Sequence, residues 1–190
     1  MTLALQAPPP NEIAAALGKR VIGQAGAVKE MAIALSKKLA GLGVGNILMI
    51  GSSGTGKTTL MRAVGEFLAA GPVLASRWAV VRIHANVLGE EAQAGRPGEA
   101  VMRRLLERAR EQLGDGAGTA AIVERAAQGL VFVDEVDKIR SHVGGTVNVA
   151  GIRAQEALLT LIENEAVPVV LPEWLGGGAT TVDSSGLLFV

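Results

Sequence analysis

The 190-residue sequence contains no cysteine and no tyrosine, and its aromatic residues are limited to three phenylalanines and two tryptophans. Without cysteine, the chain has neither a disulfide framework nor a thiolate metal site. The two histidines, His84 and His142, are isolated in the sequence, and we expect ordinary polar side chains near loops. So few aromatic rings also argue against a stacking surface for single-stranded nucleic acid. These absences argue against a metal centre built from cysteine or histidine and against nucleic-acid remodelling.

The sequence also has no net charge, because 18 lysines and arginines balance 18 aspartates and glutamates. No overall field would therefore attract nucleic acid or an anionic membrane. No apolar run approaches the roughly 18 residues of a membrane span, and the N-terminus lacks a charged segment followed by a long apolar core. We expect a cytoplasmic protein with no membrane partner, and a chain of this length can bury a substantial core.

Residues 51–58, with the sequence GSSGTGKT, form the most informative motif of the chain. The apolar run at 46–50 before the motif predicts a strand, and the apolar spacing after it predicts a helix. In this setting glycines let backbone N–H groups surround phosphates, Lys57 reaches the β and γ oxygens, and Thr58 can bind Mg²⁺. The positive end of the helix faces the same phosphates. The predicted ATP-binding residues of this loop are Gly51, Ser52, Ser53, Gly54, Thr55, Gly56, Lys57, Thr58 and Thr59.

An acidic motif follows the buried-strand pattern of residues 130–133. Asp134 and Glu135 come directly after this strand, at the end where open α/β sheets bind their ligands. Asp134, like Thr58, suits the coordination shell of Mg²⁺. Glu135 suits the orientation of an attacking water, so we predict that Glu135 and Lys57 are the catalytic residues. The alternative is that the acidic pair only begins a solvated loop.

Strand and helix patterns alternate along the rest of the chain. Further strands are predicted at 79–83, 130–133 and 187–190, and helices at 11–17, 28–39, 99–113, 120–127 and 152–164. The helix at 99–113 carries four arginines, but interleaved glutamates indicate a solvated, self-paired face rather than a basic patch. Such alternation is typical of an α/β protein with a parallel, doubly wound sheet.

Five segments, taken in order, resemble the AAA+ ATPases, and within them the ring-shaped protein unfoldases of the ClpX and HslU type. These segments are residues 21–24, 46–58, 129–139, 155–163 and 182–185. The resemblance implies a P-loop NTPase (AAA+) fold, which is a three-layer α/β/α sandwich with a mostly parallel central sheet. It also implies ATP and Mg²⁺ as cofactors, a ring homo-oligomer such as a hexamer, and a protein substrate or partner.

By the same resemblance, Val21 and Ile22 would flank the adenine, which suits the preference of a flat base for apolar walls. The alternative is that both are core residues at the start of a helix. Residues 1–10 are expected to be a flexible lead-in, and 11–190 the large nucleotide-binding subdomain, incomplete at its C-terminal side. The family's sensor residues, arginine finger, helical lid and protease-docking loop would lie beyond Val190.

Residues 95–98 depart from the family's pattern. Members that unfold proteins carry an aromatic and an aliphatic residue between two glycines in a pore loop, whereas this chain has Arg96 and Pro97. These side chains cannot supply the same apolar grip on a polypeptide. Two functions stay open: an ATPase that remodels or unfolds a protein, and a nucleotide-gated scaffold with slow or no turnover. The intact Glu135 favours the first, and the missing aromatic favours the second.

Overall fold

The computed structural model describes residues 7–70, 78–94, 98–163 and 166–190. The chain divides into two compact units, Met1–Ala75 and Ser76–Val190. The glycine-rich motif belongs to the first unit and the acidic motif to the second. Among the described residues, no helix is both long enough and apolar enough to span a lipid bilayer.

The described part of the first unit contains three helices: α1 (Pro10–Gly18), α2 (Ala25–Leu39) and α3 (Lys57–Ala69). Pro10 begins α1, where a missing N–H is harmless because the first turn leaves it unpaired anyway. Helix α1 packs against both α2 and α3. Ile13 and Leu17 of α1 are fully buried, and so is Leu35 on the predicted apolar stripe of α2. The helical predictions for this unit are therefore confirmed.

The apolar segment before the glycine-rich motif is not a β-strand, so the prediction for residues 46–50 was wrong. Residues 43–52 have no regular secondary structure. Their side chains do alternate as in an extended chain: Ile47 and Met49 are half-buried, whereas Leu48 and Ile50 are 74% and 88% exposed. A strand requires a hydrogen-bonded neighbour, and none of the described strands pairs with this segment. The side chains of this segment thus alternate as in a strand, but its backbone is not paired with a described strand.

The second unit is built on a parallel sheet. The described strands of the unit are β1 (Val80–His84), β2 (Leu130–Asp134), β3 (His142–Val143), β4 (Thr146–Val147), β5 (Ala166–Val170), β6 (Ala179–Asp183) and β7 (Leu188–Phe189), and the parallel sheet consists of β1, β2 and β7. Strand β2 is central and pairs in parallel with β1 on one side and β7 on the other. The register places His84 opposite Asp134, so β1 and β2 end at the same edge. The parallel sheet confirms the predicted α/β class.

The described part of the second unit also contains four helices, two of which pack directly on β1. They are α4 (Asn86–Gln93), α5 (Glu99–Leu113), α6 (Thr119–Ala127) and α7 (Val149–Ile162). Helix α5 packs on β1 and α6, and α4 packs on β1 and α7. Val81 and Ile83 of β1 share one buried apolar cluster with Leu105 of α5. The strand pairs β3-β4 and β5-β6 form separate antiparallel hairpins. The core of the second unit thus lies between the sheet and its helices.

Most predicted elements of the second unit are present with similar bounds. Helix α5 has the predicted limits, and β1, β2 and α6 differ by one residue. Helix α7 begins earlier than predicted because the Asn148 side chain caps it, accepting from the Gly151 amide at 3.2 Å. Helix α4 and the two hairpins were not predicted. The predicted break at 71–72 and the residues Gly95, Arg96 and Pro97 lie outside the described part of the chain.

Gly129 lies where β2 begins and where three segments meet closely. A Cβ atom added there would lie 2.5 Å from Cδ2 of Leu105, 2.8 Å from the Ala79 carbonyl oxygen and 3.1 Å from that of Ala126. Two of these three contacts are with backbone, which cannot move away as a flexible side chain can. The start of the central strand therefore requires glycine.

Gly129→Ala should lower the free energy of unfolding by about 1–3 kcal/mol, because the methyl group overpacks a tight site. Urea denaturation monitored by circular dichroism measures the effect. Gly116→Ala is the matched control, since an added Cβ there has no heavy atom within 4 Å. Equal stability of the two variants would contradict this account of the packing around Gly129.

Candidate functional site

The glycine-rich loop leads directly into the first turn of α3, as its sequence predicts. Gly54 and Gly56 have φ angles of 80° and 92°, in the left-handed region that favours glycine. Gly51 is needed for another reason, because a Cβ atom there would lie 2.8 Å from the Thr55 hydroxyl oxygen. That hydroxyl donates to the carbonyl of Ser52 at 2.8 Å. The loop is therefore a tight turn whose shape depends on its glycines.

The side chain of Lys57 folds back over this loop. Its Nζ donates to the carbonyl oxygen of Gly51 at 2.6 Å and to that of Ser52 at 2.9 Å. An ammonium group has three N–H donors, so these two bonds leave one donor for a further acceptor. Lys57 is also the first residue of α3, where unpaired backbone N–H groups add positive potential. The loop thus combines two sources of attraction for an anion.

The other predicted contacts of the first unit differ in exposure. Thr58 is half-buried in the first turn of α3, whereas Thr59 is exposed. A cleft of about 730 Å³ lies in this unit, lined by α2, by residues 43–51 and by Thr55, Gly56 and Lys57 of the loop. Val21 is buried and lines the cleft, but Ile22 is 89% exposed and is not part of its lining. The adenine contacts of both residues stay predictions, and only Val21 has the surroundings of an apolar wall.

In the second unit, Asp134 ends β2 and its carboxylate is engaged on both oxygens. The backbone N–H of Glu135 donates to Oδ1 at 2.9 Å, and the guanidinium of Arg82 forms an ion pair with Oδ2. Burial by itself would raise the pKa of Asp134, but these hydrogen bonds and the positive potential of Arg82 and His84 outweigh it and lower the pKa. Asp134 is therefore held as an anion at the edge of the sheet.

Glu135 has a φ angle of 59° and is the one non-glycine residue with positive φ in the described part of the chain. This conformation is strained for a residue with a Cβ atom, and such strain concentrates at functional sites. The side chain is exposed, and its Oε2 lies 3.6 Å from Nδ1 of His84. Glu135 is thus a strained, accessible carboxylate beside an imidazole.

Arg82 and His84 contact the acidic motif, although no role is predicted for Arg82 from its sequence context and His84 is expected to be an ordinary polar residue. Both stand on the face of β1 opposite the buried Val81 and Ile83. The alternation of polar and apolar residues along β1 is visible in the sequence and places the two polar side chains on one face. Their contact with Asp134 and Glu135 also depends on the strand register, which the sequence does not reveal.

Comparison with known proteins assigns the chain to a family. Residues 47–173 match the family described as "ATPase family associated with various cellular activities (AAA)", over more than half of the sequence. The chain belongs to the AAA family. It is 32% identical, over 96% of its length, to the ATP-dependent Clp protease ATP-binding subunit ClpX 3 of Methylococcus capsulatus. It is 34% identical, over 85% of its length, to the ClpX subunit of Bacteroides fragilis. The resemblance to ClpX-type AAA+ ATPases is therefore confirmed.

This AAA chain spans less than half the length of these curated relatives, 44% of the Methylococcus capsulatus protein and 38% of the Bacteroides fragilis protein. The family match at 47–173 includes both the glycine-rich loop and the acidic motif. It does not reach Val21 and Ile22. The family assignment thus rests on the region that carries the two motifs.

ATP and Mg²⁺, which membership of the AAA family implies, suit the chemistry of these residues. The tight loop around Gly54 and Gly56, with the ammonium of Lys57 across it, is a cationic cradle for phosphate oxygens. Asp134 offers the carboxylate oxygen that Mg²⁺ prefers, and the carboxylate already holds a cation, the guanidinium of Arg82. The first motif therefore has donors that suit phosphate, and the second has a carboxylate that suits Mg²⁺.

Asp134→Asn should destabilise the metal-free chain at pH 7 by about 1 kcal/mol, because a partly exposed charge-assisted pair is lost. The pKa of Asp134 is lower in the folded chain than its unfolded value of about 3.9. The stabilisation is therefore present above about pH 4 and is lost as the pH falls through the folded pKa. Urea denaturation at pH 7 and in acid measures both effects. The exposed Asp137→Asn is the control, and a pH-independent difference for Asp134→Asn would contradict the assignment.

Proposed function

We propose that this AAA chain binds ATP with Mg²⁺ and, in its complete assembly, hydrolyses it. The observation that carries the proposal is the phosphate-loop geometry: two left-handed glycines, the Lys57 ammonium across the loop and the start of α3. In this proposal residues 11–190 form the large nucleotide-binding subdomain. Membership of the AAA ATPase family supports it.

The phosphate groups of ATP are held by residues 51–59 of the first unit. Backbone N–H groups of the loop and of the first turn of α3 donate to phosphate oxygens, which concentrates partial positive charge without any moving part. Lys57 adds a full charge, and its third N–H can donate to a phosphate oxygen while the loop carbonyls hold the other two. The hydroxyl of Thr58 and the carboxylate of Asp134 are the groups that would hold Mg²⁺, which neutralises charge that develops on the phosphates.

Glu135 orients and polarises the attacking water in the proposed reaction. Its carboxylate is exposed, so water can reach it, and its strained backbone fixes the direction in which the side chain leaves the strand. His84, whose Nδ1 lies 3.6 Å from this carboxylate, is its polar neighbour at the end of β1. The neighbours of Asp134 and Glu135 therefore support the proposed roles, as does their order in the sequence.

We further propose that the complete protein works as a cytoplasmic ring, such as a hexamer, that remodels or unfolds a protein substrate. Support for this part comes from the relatives, which are ATP-binding subunits of an ATP-dependent Clp protease. Val21 and Ile22 are proposed to contact the adenine. A nucleotide-gated scaffold with slow or no turnover remains the alternative, and turnover measurements separate the two functions.

Lys57→Ala should reduce ATP affinity by at least tenfold, because it removes the cationic side chain that lies across the phosphate loop. The side chain contributes little to the core, so circular dichroism should show an unchanged fold. Calorimetric titration with ATP measures the affinity. Lys29→Ala is the matched control, because Lys29 is an exposed lysine of α2 in the same unit. Tight ATP binding by the Lys57 variant would show that the loop does not hold the phosphates.

Glu135→Gln should leave ATP binding intact and slow hydrolysis by about a hundredfold or more in the complete assembly, because the amide cannot act as a base. A continuous phosphate-release assay measures turnover. Glu107→Gln, an exposed position of α5, is the control for charge removal. Normal turnover of the Glu135 variant would assign the water to another residue. Negligible turnover of the unaltered assembly, with ATP bound, would support the scaffold instead.

A further inference from the structure

The ion pair between Arg82 and Asp134 involves a carboxylate that the proposed function needs for another cation. Arg82 is the middle residue of β1 and lies opposite Phe132 in the register, so Asp134 stands two residues further along the neighbouring strand. A long side chain can bridge such a diagonal pair. The guanidinium reaches Oδ2 of Asp134, which is the last residue of β2. The ion pair therefore joins the middle of β1 to the carboxyl end of β2.

The guanidinium contacts the oxygen of Asp134 that the backbone does not hold. Oδ1 of Asp134 is occupied by the Glu135 amide, so Oδ2 is the oxygen with more freedom to accept a new ligand, and Arg82 holds it. The Asp134 side chain is only 21% exposed, whereas that of Arg82 is 37% exposed. The carboxylate is therefore mostly covered, whereas the guanidinium on Oδ2 belongs to a side chain that is exposed enough to move out into water.

We propose that Arg82 is an internal counter-ion that occupies the metal-binding carboxylate of Asp134 and must leave Oδ2 before a divalent cation can bind there. The proposal rests on the proposed function, in which Asp134 holds Mg²⁺. A guanidinium and a divalent cation on one carboxylate oxygen would repel each other, so each binds at the expense of the other. Arg82 thus raises the concentration of Mg²⁺ at which the metal strengthens ATP binding.

Arg82 is held in place from its backbone as well. Nη1 of Arg104, on α5, donates to the carbonyl oxygen of Arg82 at 2.9 Å, and the neighbouring Val81 and Ile83 are anchored in the core. The strand is therefore fixed while the outer part of the side chain is free to exchange partners. This arrangement suits a side chain that switches, because release of the guanidinium requires no movement of β1.

The test compares ATP affinity in excess EDTA with ATP affinity in excess Mg²⁺, both by calorimetry on the 190-residue chain. The ratio of the two dissociation constants measures how much the metal strengthens binding, without any dependence on turnover. Arg82→Met keeps an apolar stem and removes the charge. We expect its ratio to rise roughly two- to fivefold over the unaltered chain, which is the range for loss of a partly exposed ion pair. Its thermal unfolding midpoint in EDTA should fall at the same time.

The opposite signs of these two effects identify the counter-ion role. If Arg82 merely positioned Asp134, its removal would weaken metal binding as well as stability. Arg82→Lys, which retains a cation, should keep the ratio near that of the unaltered chain. Arg108→Met is the matched control, because it removes an arginine from an exposed pair with Glu111 on α5 and changes the net charge equally. Arg82→Gln keeps a hydrogen-bond donor and should also raise the ratio. It replaces Arg82→Met in the test if the Met variant does not fold.

Asp134→Asn separates failure of this proposal from failure of the proposed function. If Asp134→Asn lowers the ratio but Arg82→Met and Arg82→Gln leave it unchanged or lower, Asp134 binds the metal and the counter-ion role is wrong. If Asp134→Asn leaves the ratio unchanged, Asp134 does not hold the metal, and both the metal assignment and the counter-ion proposal are wrong. An equal rise with Arg108→Met would also overturn the proposal, because the effect would then come from net charge alone.

Discussion

The parallel register of β1 on β2 is the constraint on which the chemistry of the second unit depends. It sets His84 beside Asp134, so the polar side chains of two strands meet at one edge of the sheet. The alternation of β1 directs Val81 and Ile83 into the core and leaves Arg82 and His84 on the other face. A shift of one residue would bury an arginine and a histidine and expose two core residues. Burial of the apolar face therefore fixes the contacts of the acidic motif.

Sequence patterns predicted the features that depend on local periodicity or on a short motif. Helix α5 has a long apolar stripe and was predicted at its observed bounds, and the phosphate loop was predicted from its glycines and lysine. The left-handed conformation of Glu135 and its contact with His84 could not be predicted, because both arise from register and strand ending. At residues 46–50 a strand was predicted that the structure does not contain, because an apolar run does not supply a pairing partner.

The two motifs treat charge in different ways. In the phosphate loop, Lys57 bonds to neutral carbonyl oxygens, so its positive charge is not neutralised and remains available to an anion. At the acidic motif, the negative charge of Asp134 is already matched by Arg82, and Glu135 has His84 as its neighbour. The net charge of zero is therefore compatible with two different local sites: a positively charged loop and an acidic motif paired with a cationic side chain. Net charge alone cannot reveal either site.

The contacts of Arg82 and His84 with the acidic motif also explain how two adjacent carboxylates can lie where β2 ends. Asp134 and Glu135 repel each other, and Glu135 adds backbone strain at the same point. The guanidinium of Arg82 and the amide of Glu135 stabilise the Asp134 carboxylate, and His84 stands beside that of Glu135. The guanidinium of Arg82 stabilises the carboxylate without a metal ion, but in the proposed function it competes with the metal for the same oxygen. In the proposed function, the ion pair that stabilises the Asp134 carboxylate is therefore the interaction that Mg²⁺ would have to replace.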